Sequence, residues 1–187
     1  MTKKVLLAIA DGSEEIEAVT VFDILKRAGA EVILASPKGG EVTLSRGLTV
    51  KCETSLSEAA ERAFDLIVMP GGLPGTYNLR DCPALDCIIA KQFEKGGLVA
   101  AICAAPAFIL GAKGYLEGRS ASCYPGCEEG IEGVNWKTGE AVVKDDNIVT
   151  ANGPGAAYLF ALALVESLYG REFRQRIAED SMFFQAN

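Results

Sequence analysis

The chain has 187 residues, of which 49% are hydrophobic and 23% are charged, with a formal net charge of −7 at pH 7. This length supports one well-buried core, so we expect a single domain over residues 1–187. The acidic balance and the lack of a Lys/Arg cluster argue against a nucleic-acid partner. No apolar stretch reaches membrane-spanning length, and residues 1–4 lead into a predicted strand rather than a signal peptide. We therefore expect a cytoplasmic protein with no membrane partner.

The chain contains no histidine, whereas cysteine occurs at six positions: 52, 82, 87, 103, 123 and 127. These spacings lack the short pairs typical of a zinc site, so we predict no metal centre. We expect six reduced thiols, because a chain of this size without an export signal does not need disulfides. A Cys–His catalytic pair cannot form without an imidazole, which disfavours a protease or amidase of that type.

Buried strands and amphipathic helices alternate along the chain. An apolar run over residues 4–10 has the length of a strand, and a helical pattern over residues 14–28 follows it after an Asp-Gly-Ser turn. This alternation predicts a mostly parallel sheet with helices on both faces. The remaining predicted strands are 31–36, 65–70 and 98–102, with a shorter pair at 42–44 and 48–52, and the remaining predicted helices are 56–63, 83–95 and 155–169.

The loops after the predicted strands carry the unusual residues. Ligands of such sheets bind beyond the carboxyl ends of the strands, so we expect these loops to meet at one crevice. Gly71 and Gly72 suit a turn whose backbone approaches a ligand closely. Their N–H groups, together with that of Ala104, are candidates for an oxyanion hole.

Cys103 lies where an apolar run ends and a helical segment begins. A thiol at this turn faces free N–H groups and the positive end of the helix dipole, so we predict a nucleophile with a lowered pKa. The alternative is a packing role, since cysteine is among the most buried residue types. Cys123 and Cys127 are candidate resolving thiols for an oxidised Cys103, although surface or packing roles are the favoured interpretation.

The sequence resembles the ThiJ/PfpI superfamily and, within it, the DJ-one clade. The matching segments span nearly the whole chain in the expected order. They are Gly12-Ser-Glu-Glu-Ile-Glu17-Ala-Val, Arg27-Ala-Gly-Ala, Ser45-Arg46, Val68-Met-Pro-Gly-Gly72, Ala100-Ala-Ile-Cys103-Ala-Ala-Pro, Gly153-Pro-Gly and Phe160-Ala-Leu-Ala-Leu-Val-Glu-Ser-Leu.

The resemblance implies a flavodoxin-like three-layer α/β sandwich with a reactive Cys103 in a strained backbone conformation. Glu17 is then the protonated carboxyl group that hydrogen-bonds the cysteine sulfur, and Gly72 and Ala104 are oxyanion donors. Elementary electrostatics agrees, because burial and a neighbouring thiolate both disfavour ionisation of a carboxyl group. Without the resemblance, an acidic cluster at a helix start is explained by the helix dipole alone.

Further residues are expected around the site. Tyr124 stands where many family members carry a histidine, and it is interpreted either as an aromatic lid or as a phenol that hydrogen-bonds substrate. The segment at residues 153–155 is also explained as ordinary strand-to-helix turn chemistry. The expected pocket residues are Gly71, Tyr124, Asn152, Gly153 and Pro154. The resemblance also implies a homodimer, with Arg27, Arg46 and Cys52 near its interface.

Two functions fit this site, and neither requires a metal or an organic cofactor. In the first, Cys103 attacks a small reactive aldehyde such as methylglyoxal, or a glycated group, and the hemithioacetal rearranges to a 2-hydroxy acid. Glyoxalase III and deglycase activities of the family are of this kind. In the second, the protein is a redox sensor or chaperone that works through oxidation of Cys103 to sulfinate.

Overall fold

The structure, a computed structural model, describes residues 2–183, so Met1 and residues 184–187 of the expected domain lie outside it. The strands in chain order are β1 (Lys4–Ala8), β2 (Glu31–Ser36), β3 (Gly40–Thr43), β4 (Thr49–Cys52), β5 (Thr54–Ser55), β6 (Leu66–Met69), β7 (Leu98–Ile102), β8 (Ser120–Ala121), β9 (Asn135–Trp136), β10 (Val142–Asp145) and β11 (Ile148–Ala151). The α-helices are α1 (Glu15–Arg27), α2 (Leu56–Ala59), α3 (Gly75–Arg80), α4 (Pro83–Glu94), α5 (Ala157–Tyr169) and α6 (Arg171–Asp180).

Seven strands form the central sheet in the order β10-β11-β7-β6-β1-β2-β5. All neighbouring strands are parallel except β10 and β11, which form an antiparallel hairpin. Strands β3 and β4 form a separate antiparallel pair. Strand β7 therefore lies between β6 and β11, and the loops that follow these three strands meet at one edge of the sheet.

Helices cover both faces of the sheet because the strands are apolar on both sides. In β1, Val5 and Leu7 face one core together with residues of α1 and α5, whereas Leu6 and Ala8 face a second core together with residues of α2 and α4. This alternation follows from the two-residue period of a strand. The predicted three-layer α/β sandwich is confirmed.

Most predicted elements are present with small shifts at their ends. Strands 31–36 and 98–102 match the prediction. The helix predicted at 56–63 stops at Ala59, and a 3₁₀ turn over Pro154–Ala156 precedes α5. The helical segment expected after Cys103 is a π-helix over Pro106–Gly111.

Two helices were not predicted from the sequence. Helix α3 has only six residues and begins at a glycine, and α6 is strongly polar, with Ile177 as its one buried residue. Neither segment shows the broad apolar stripe on which helix prediction depends. None of the helices between residues 2 and 183 has both the length and the apolar character needed to cross a membrane.

Candidate active site

Cys103 occupies the turn that follows β7 and is held in a left-handed backbone conformation. Its φ is 65°, and its side chain is 9% exposed. Such a conformation costs about 1–3 kcal/mol for a residue other than glycine and persists only where the surroundings hold it. Here the Cys103 N–H donates to the Ala151 carbonyl at 2.9 Å, and the Cys103 carbonyl accepts from the Tyr124 N–H at 2.8 Å.

Glu17 reaches the same turn from the first turn of α1 and is fully buried. Its Oε2 accepts a hydrogen bond from the Gly71 N–H at 2.6 Å, while its Oε1 is buried with no hydrogen-bond partner within residues 2–183. Burial raises the pKa of this carboxyl from 4.5 to about 7, against the opposing effects of the Gly71 N–H and the Cys103 side chain. Glu17 is therefore substantially protonated near neutral pH.

The surroundings of the Cys103 thiol shift its pKa in both directions. Burial raises its pKa well above the ordinary value, and the ionised Glu17 raises the pKa further, whereas the N–H groups of Gly72 and Ala104 lower it by hydrogen bonding to Sγ. The expected lowering of the thiol pKa is therefore wrong. The amide donors are present as predicted, but desolvation outweighs them.

The two pKa shifts have a common cause. A buried site resists two adjacent negative charges, so the Cys103 and Glu17 side chains together retain at least one proton near neutral pH. When Glu17 is protonated on Oε1, its carboxyl group can donate to Sγ, and an otherwise unpartnered buried oxygen gains a partner.

Glycine is required at the start of the neighbouring loop. A Cβ on Gly71 would lie 2.6 Å from the Cβ of Cys103 and 3.0 Å from its Sγ. Gly72 has a φ of 84°, and a Cβ there would lie 2.5 Å from the Glu14 nitrogen. The Gly-Gly pair thus lets the β6 loop approach both the cysteine and the start of α1.

A cavity of about 400 Å³ contains four of the five expected pocket residues. Neither Gly71 nor Cys103 is among its lining residues, and Gly71 packs directly against Cys103. The Tyr124 ring closes one side, and a Cβ built on Gly153 would lie 3.3 Å from its Cδ2. The residues lining the cavity are Tyr124, Pro125, Ala141, Asn152, Gly153, Pro154, Gly155 and Ala156.

The residues expected near a dimer interface lie in three different settings. Arg27 is exposed at the end of α1, where its Nε donates to Oδ2 of Asp23 at 2.7 Å. Arg46 is exposed in the loop between β3 and β4. Cys52 is buried within this chain, so its thiol is not a surface group.

The other cysteines lie outside the pair formed by Cys103 and Glu17. All six cysteines are free thiols, and Cys123 is fully buried with its Sγ 3.7 Å from Oε2 of Glu128. Burial raises the pKa values of the Cys123 and Cys127 thiols, as it does for Cys103, but neither residue has the left-handed backbone conformation of Cys103. Among the described residues, no three His, Cys, Asp or Glu side chains are arranged to hold a metal ion.

Sequence reasoning missed two apolar side chains beside the site. Leu73 directly follows Gly72 and is half-exposed, and Tyr77 lies on the unpredicted helix α3. The only signal for Leu73 was a large apolar residue in a loop after two glycines. The Gly71 N–H, a candidate oxyanion donor from the sequence, instead donates to Glu17, since the fold brings residues 17 and 71 together.

The fold and the site define an α/β protein whose candidate nucleophile is a cysteine at a strand-to-helix turn. Residues 3–167 match the sequence profile of the DJ-1/PfpI family, so the chain belongs to the DJ-1/PfpI family. The family resemblance inferred from the sequence motifs is confirmed.

Similar proteins include DJ-1 homologues from plants and animals. The chain is 42% identical over 172 residues to Protein DJ-1 homolog B of Arabidopsis thaliana, an alignment that covers 91% of this chain but 39% of that protein. It is 39% identical over 181 residues to Protein dj-1beta of Drosophila melanogaster, with 96% of each covered. It is 34% identical over 167 residues to the glutathione-independent glyoxalase DJR-1.2 of Caenorhabditis elegans, with 89% of each covered.

Solved structures show the same architecture. Oxidized DJ-1 of Toxoplasma gondii superposes on this chain with a TM-score of 0.92 and 38% identity, covering 98% of this chain and 100% of that one. At this level of similarity the sheet, the helices on both faces and their connections are shared.

Proposed function

We propose that this protein is a cofactor-independent enzyme that converts small 2-oxoaldehydes such as methylglyoxal to 2-hydroxy acids. One observation carries the proposal: the Glu17 carboxyl group, with a pKa near 7, lies beside the strained Cys103 and hydrogen-bonds its side chain. A group whose pKa is close to neutral is suited to give and take protons during turnover. The pair thus combines a nucleophile with an acid–base group in a chain that has no histidine.

The proposed reaction begins when a proton moves from Sγ to Glu17. The thiolate adds to the aldehyde carbon, and the resulting alkoxide takes that proton to give a hemithioacetal. Ionised Glu17 then removes the hydrogen from the former aldehyde carbon, and a proton is returned to the adjacent carbon. The first carbon is thereby oxidised and the second reduced, so no external oxidant is needed. Water hydrolyses the resulting thioester, releasing the 2-hydroxy acid and the thiol.

The backbone donors at the turn have a role in the first step. The N–H groups of Gly72 and Ala104 already donate to Sγ. The alkoxide forms one bond away from this sulfur, so the same donors are the nearest amides to the developing negative charge. Since amide donors in a rigid turn need little reorganisation, we assign these two residues to oxyanion stabilisation.

The relative named as a glutathione-independent glyoxalase supports this reaction class. Activity toward glycated groups is a variant of the same chemistry, because a glycated group can release the free aldehyde.

The proposal is tested by incubating the native protein with methylglyoxal and following lactate by NMR. Lactate must accumulate as methylglyoxal is consumed, with more than one lactate per protein chain. Loss of methylglyoxal without lactate would contradict the proposal, because it would indicate stoichiometric adduct formation or buffer chemistry.

The second candidate function is a redox sensor that works through Cys103. The N–H donors of Gly72 and Ala104 and the Glu17 carboxyl surround the sulfur and can hydrogen-bond the oxygens of a sulfinate. Peroxide oxidises the thiolate to sulfenate, and a second peroxide oxidises the sulfenate to sulfinate, each step releasing water. The related Toxoplasma gondii structure described as oxidized supports this candidate.

Peroxide titration followed by intact-mass analysis separates the two functions. A sensor is expected to gain two oxygen atoms at Cys103 alone, at peroxide concentrations that leave the exposed Cys87 unmodified. Oxidation of Cys87 before Cys103 would contradict the sensor.

We also propose that the protein forms a homodimer through α1 and the loop between β3 and β4. Ile16 and Val19 on α1 and Leu48 in the loop are large apolar side chains that are about half exposed. Glu15 ties the loop to α1 by accepting hydrogen bonds from the Ser45 hydroxyl and the Arg46 N–H. The two elements therefore present one apolar surface, which a second copy of the chain covers.

Replacing Ile16 with aspartate is expected to shift the protein from dimer to monomer, because it places a charge in the apolar surface. Sedimentation-velocity ultracentrifugation measures the change. Cys87→Asp on α4 is the matched control, since it adds the same charge on the other face of the sheet, and it must leave the dimer intact. A native protein that sediments as a monomer would contradict the proposal.

A further inference from the structure

Three large apolar side chains, Leu73, Tyr77 and Tyr124, lie exposed at the edge of the sheet that holds Cys103; we call them the apolar rim. They are 51%, 37% and 50% exposed, respectively. Single exposed apolar residues need no explanation, but several around a reactive group mark a surface suited to an apolar ligand.

The sheet order places Leu73 and Tyr124 on opposite sides of Cys103. Leu73 follows β6 and comes directly after Gly72, whose N–H donates to Sγ. Tyr124 lies on the β11 side, because its ring packs against Gly153 and its N–H donates to the Cys103 carbonyl. Since β7 lies between β6 and β11, the rim flanks the cysteine from both neighbouring strands.

Tyr77 is held in place by aromatic packing against Phe108. Its ring centroid lies 5.5 Å from that of Phe108, and the Phe108 N–H donates to the Ala104 carbonyl at 3.0 Å. The Arg80 guanidinium lies 4.9 Å from the Tyr77 centroid and is paired with Asp81. The ring is therefore fixed against the segment that follows Cys103.

The charges near the site disfavour an anionic substrate. None of the side chains that line the 400 Å³ cavity beside Tyr124 is charged. On the other side of Cys103, Glu17 and Glu14 are close enough that the Glu14 charge raises the pKa of Glu17. A negatively charged substrate would find repulsion here and no cation among the cavity residues.

We propose that the apolar rim selects neutral 2-oxoaldehydes that carry an apolar or aryl substituent over glyoxal, which carries none. This inference rests on the proposed function and names its substrate class. With the aldehyde carbon at Sγ, the substituent lies against Tyr124 or Leu73 and is removed from water. Each apolar group so buried favours the larger substrate.

The test compares kcat/KM for phenylglyoxal and for glyoxal in the native protein, Tyr124→Ser, Tyr124→Phe and Leu73→Ser. The measured quantity is the change in the phenylglyoxal-to-glyoxal ratio between proteins, so the intrinsic reactivity of the aldehydes cancels. We expect the ratio to fall about 10-fold in Tyr124→Ser and several-fold in Leu73→Ser. Tyr124→Phe is expected to keep the native ratio, because it retains the ring and removes only the hydroxyl. These side chains are half exposed, so the variants should fold.

Met182→Ser is the matched control, because Met182 is exposed and lies outside the rim, and it must keep the native ratio. If both Tyr124→Ser and Leu73→Ser keep the native ratio and still convert glyoxal, the proposed role of the rim in substrate selection is overturned. The proposed function would still stand. Conversion of neither aldehyde by the native protein would overturn the proposed function and the substrate class together.

Discussion

Replacing Cys103 with serine is expected to abolish conversion of methylglyoxal to lactate, lowering kcat/KM by roughly 1,000-fold or more. A serine hydroxyl is too weak an acid to pass its proton to a carboxyl whose pKa is about 7, so no nucleophile forms. Serine is close to cysteine in size, and the two backbone hydrogen bonds of residue 103 do not involve its side chain. The fold and the shape of the site should therefore persist.

Cys87→Ser is the control for this experiment, because Cys87 is an exposed thiol on α4, away from Cys103. It must keep the native rate of lactate formation, measured by NMR under the same conditions. Equal activity in Cys103→Ser and the native protein would remove the basis for a cysteine nucleophile. Equal loss of lactate formation in Cys103→Ser and Cys87→Ser would show that the effect is not specific to Cys103.

Replacing Glu17 with glutamine is expected to lower activity and raise stability at the same time. Glutamine cannot exchange protons, so kcat should fall by about 100-fold or more. Its side-chain oxygen can still accept from the Gly71 N–H, and its amide can donate to Sγ. A purely structural role for Glu17 would instead predict lower stability with unchanged kcat in the folded fraction.

The stability gain depends on pH in a defined direction. In the unfolded chain Glu17 loses its proton near pH 4.5, but in the folded chain it holds the proton up to about pH 7. The native protein therefore loses stability as pH rises from about 4.5 to about 7, and the loss is complete above this range. A shift of this size corresponds to about 3 kcal/mol. Glu17→Gln removes the titrating group and should abolish this loss.

Urea unfolding at about pH 5 and about pH 8 measures the effect. The difference in unfolding free energy between Glu17→Gln and the native protein should grow in favour of the variant toward the higher pH. Glu172→Gln provides the control, because Glu172 is exposed on α6. Its effect on the unfolding free energy should be the same at both pH values. A stability difference independent of pH would contradict the raised pKa of Glu17.

The pattern of apolar residues predicted those strands and helices that are marked by neighbouring residues in the sequence. The strands at 31–36 and 98–102 each contain a continuous apolar run, and their bounds matched. Helix α6 was missed because its residues are mostly charged and it is stabilised by packing against α5. The π-helix after Cys103 was missed because an apolar pattern does not distinguish one helical hydrogen-bonding register from another.

The sequence by itself determined the family, the layered α/β architecture, the cysteine at the turn and the exclusion of histidine from the chemistry. The resemblance already implied a protonated Glu17, but only the tertiary structure decided the direction in which the pKa of the Cys103 thiol shifts. The pKa of Glu17 is raised to about 7, and the pKa of the Cys103 thiol is raised rather than lowered. Both shifts arise because segments distant along the chain remove these groups from water. Desolvation depends on everything packed around a group, whereas a motif records only its neighbours in sequence.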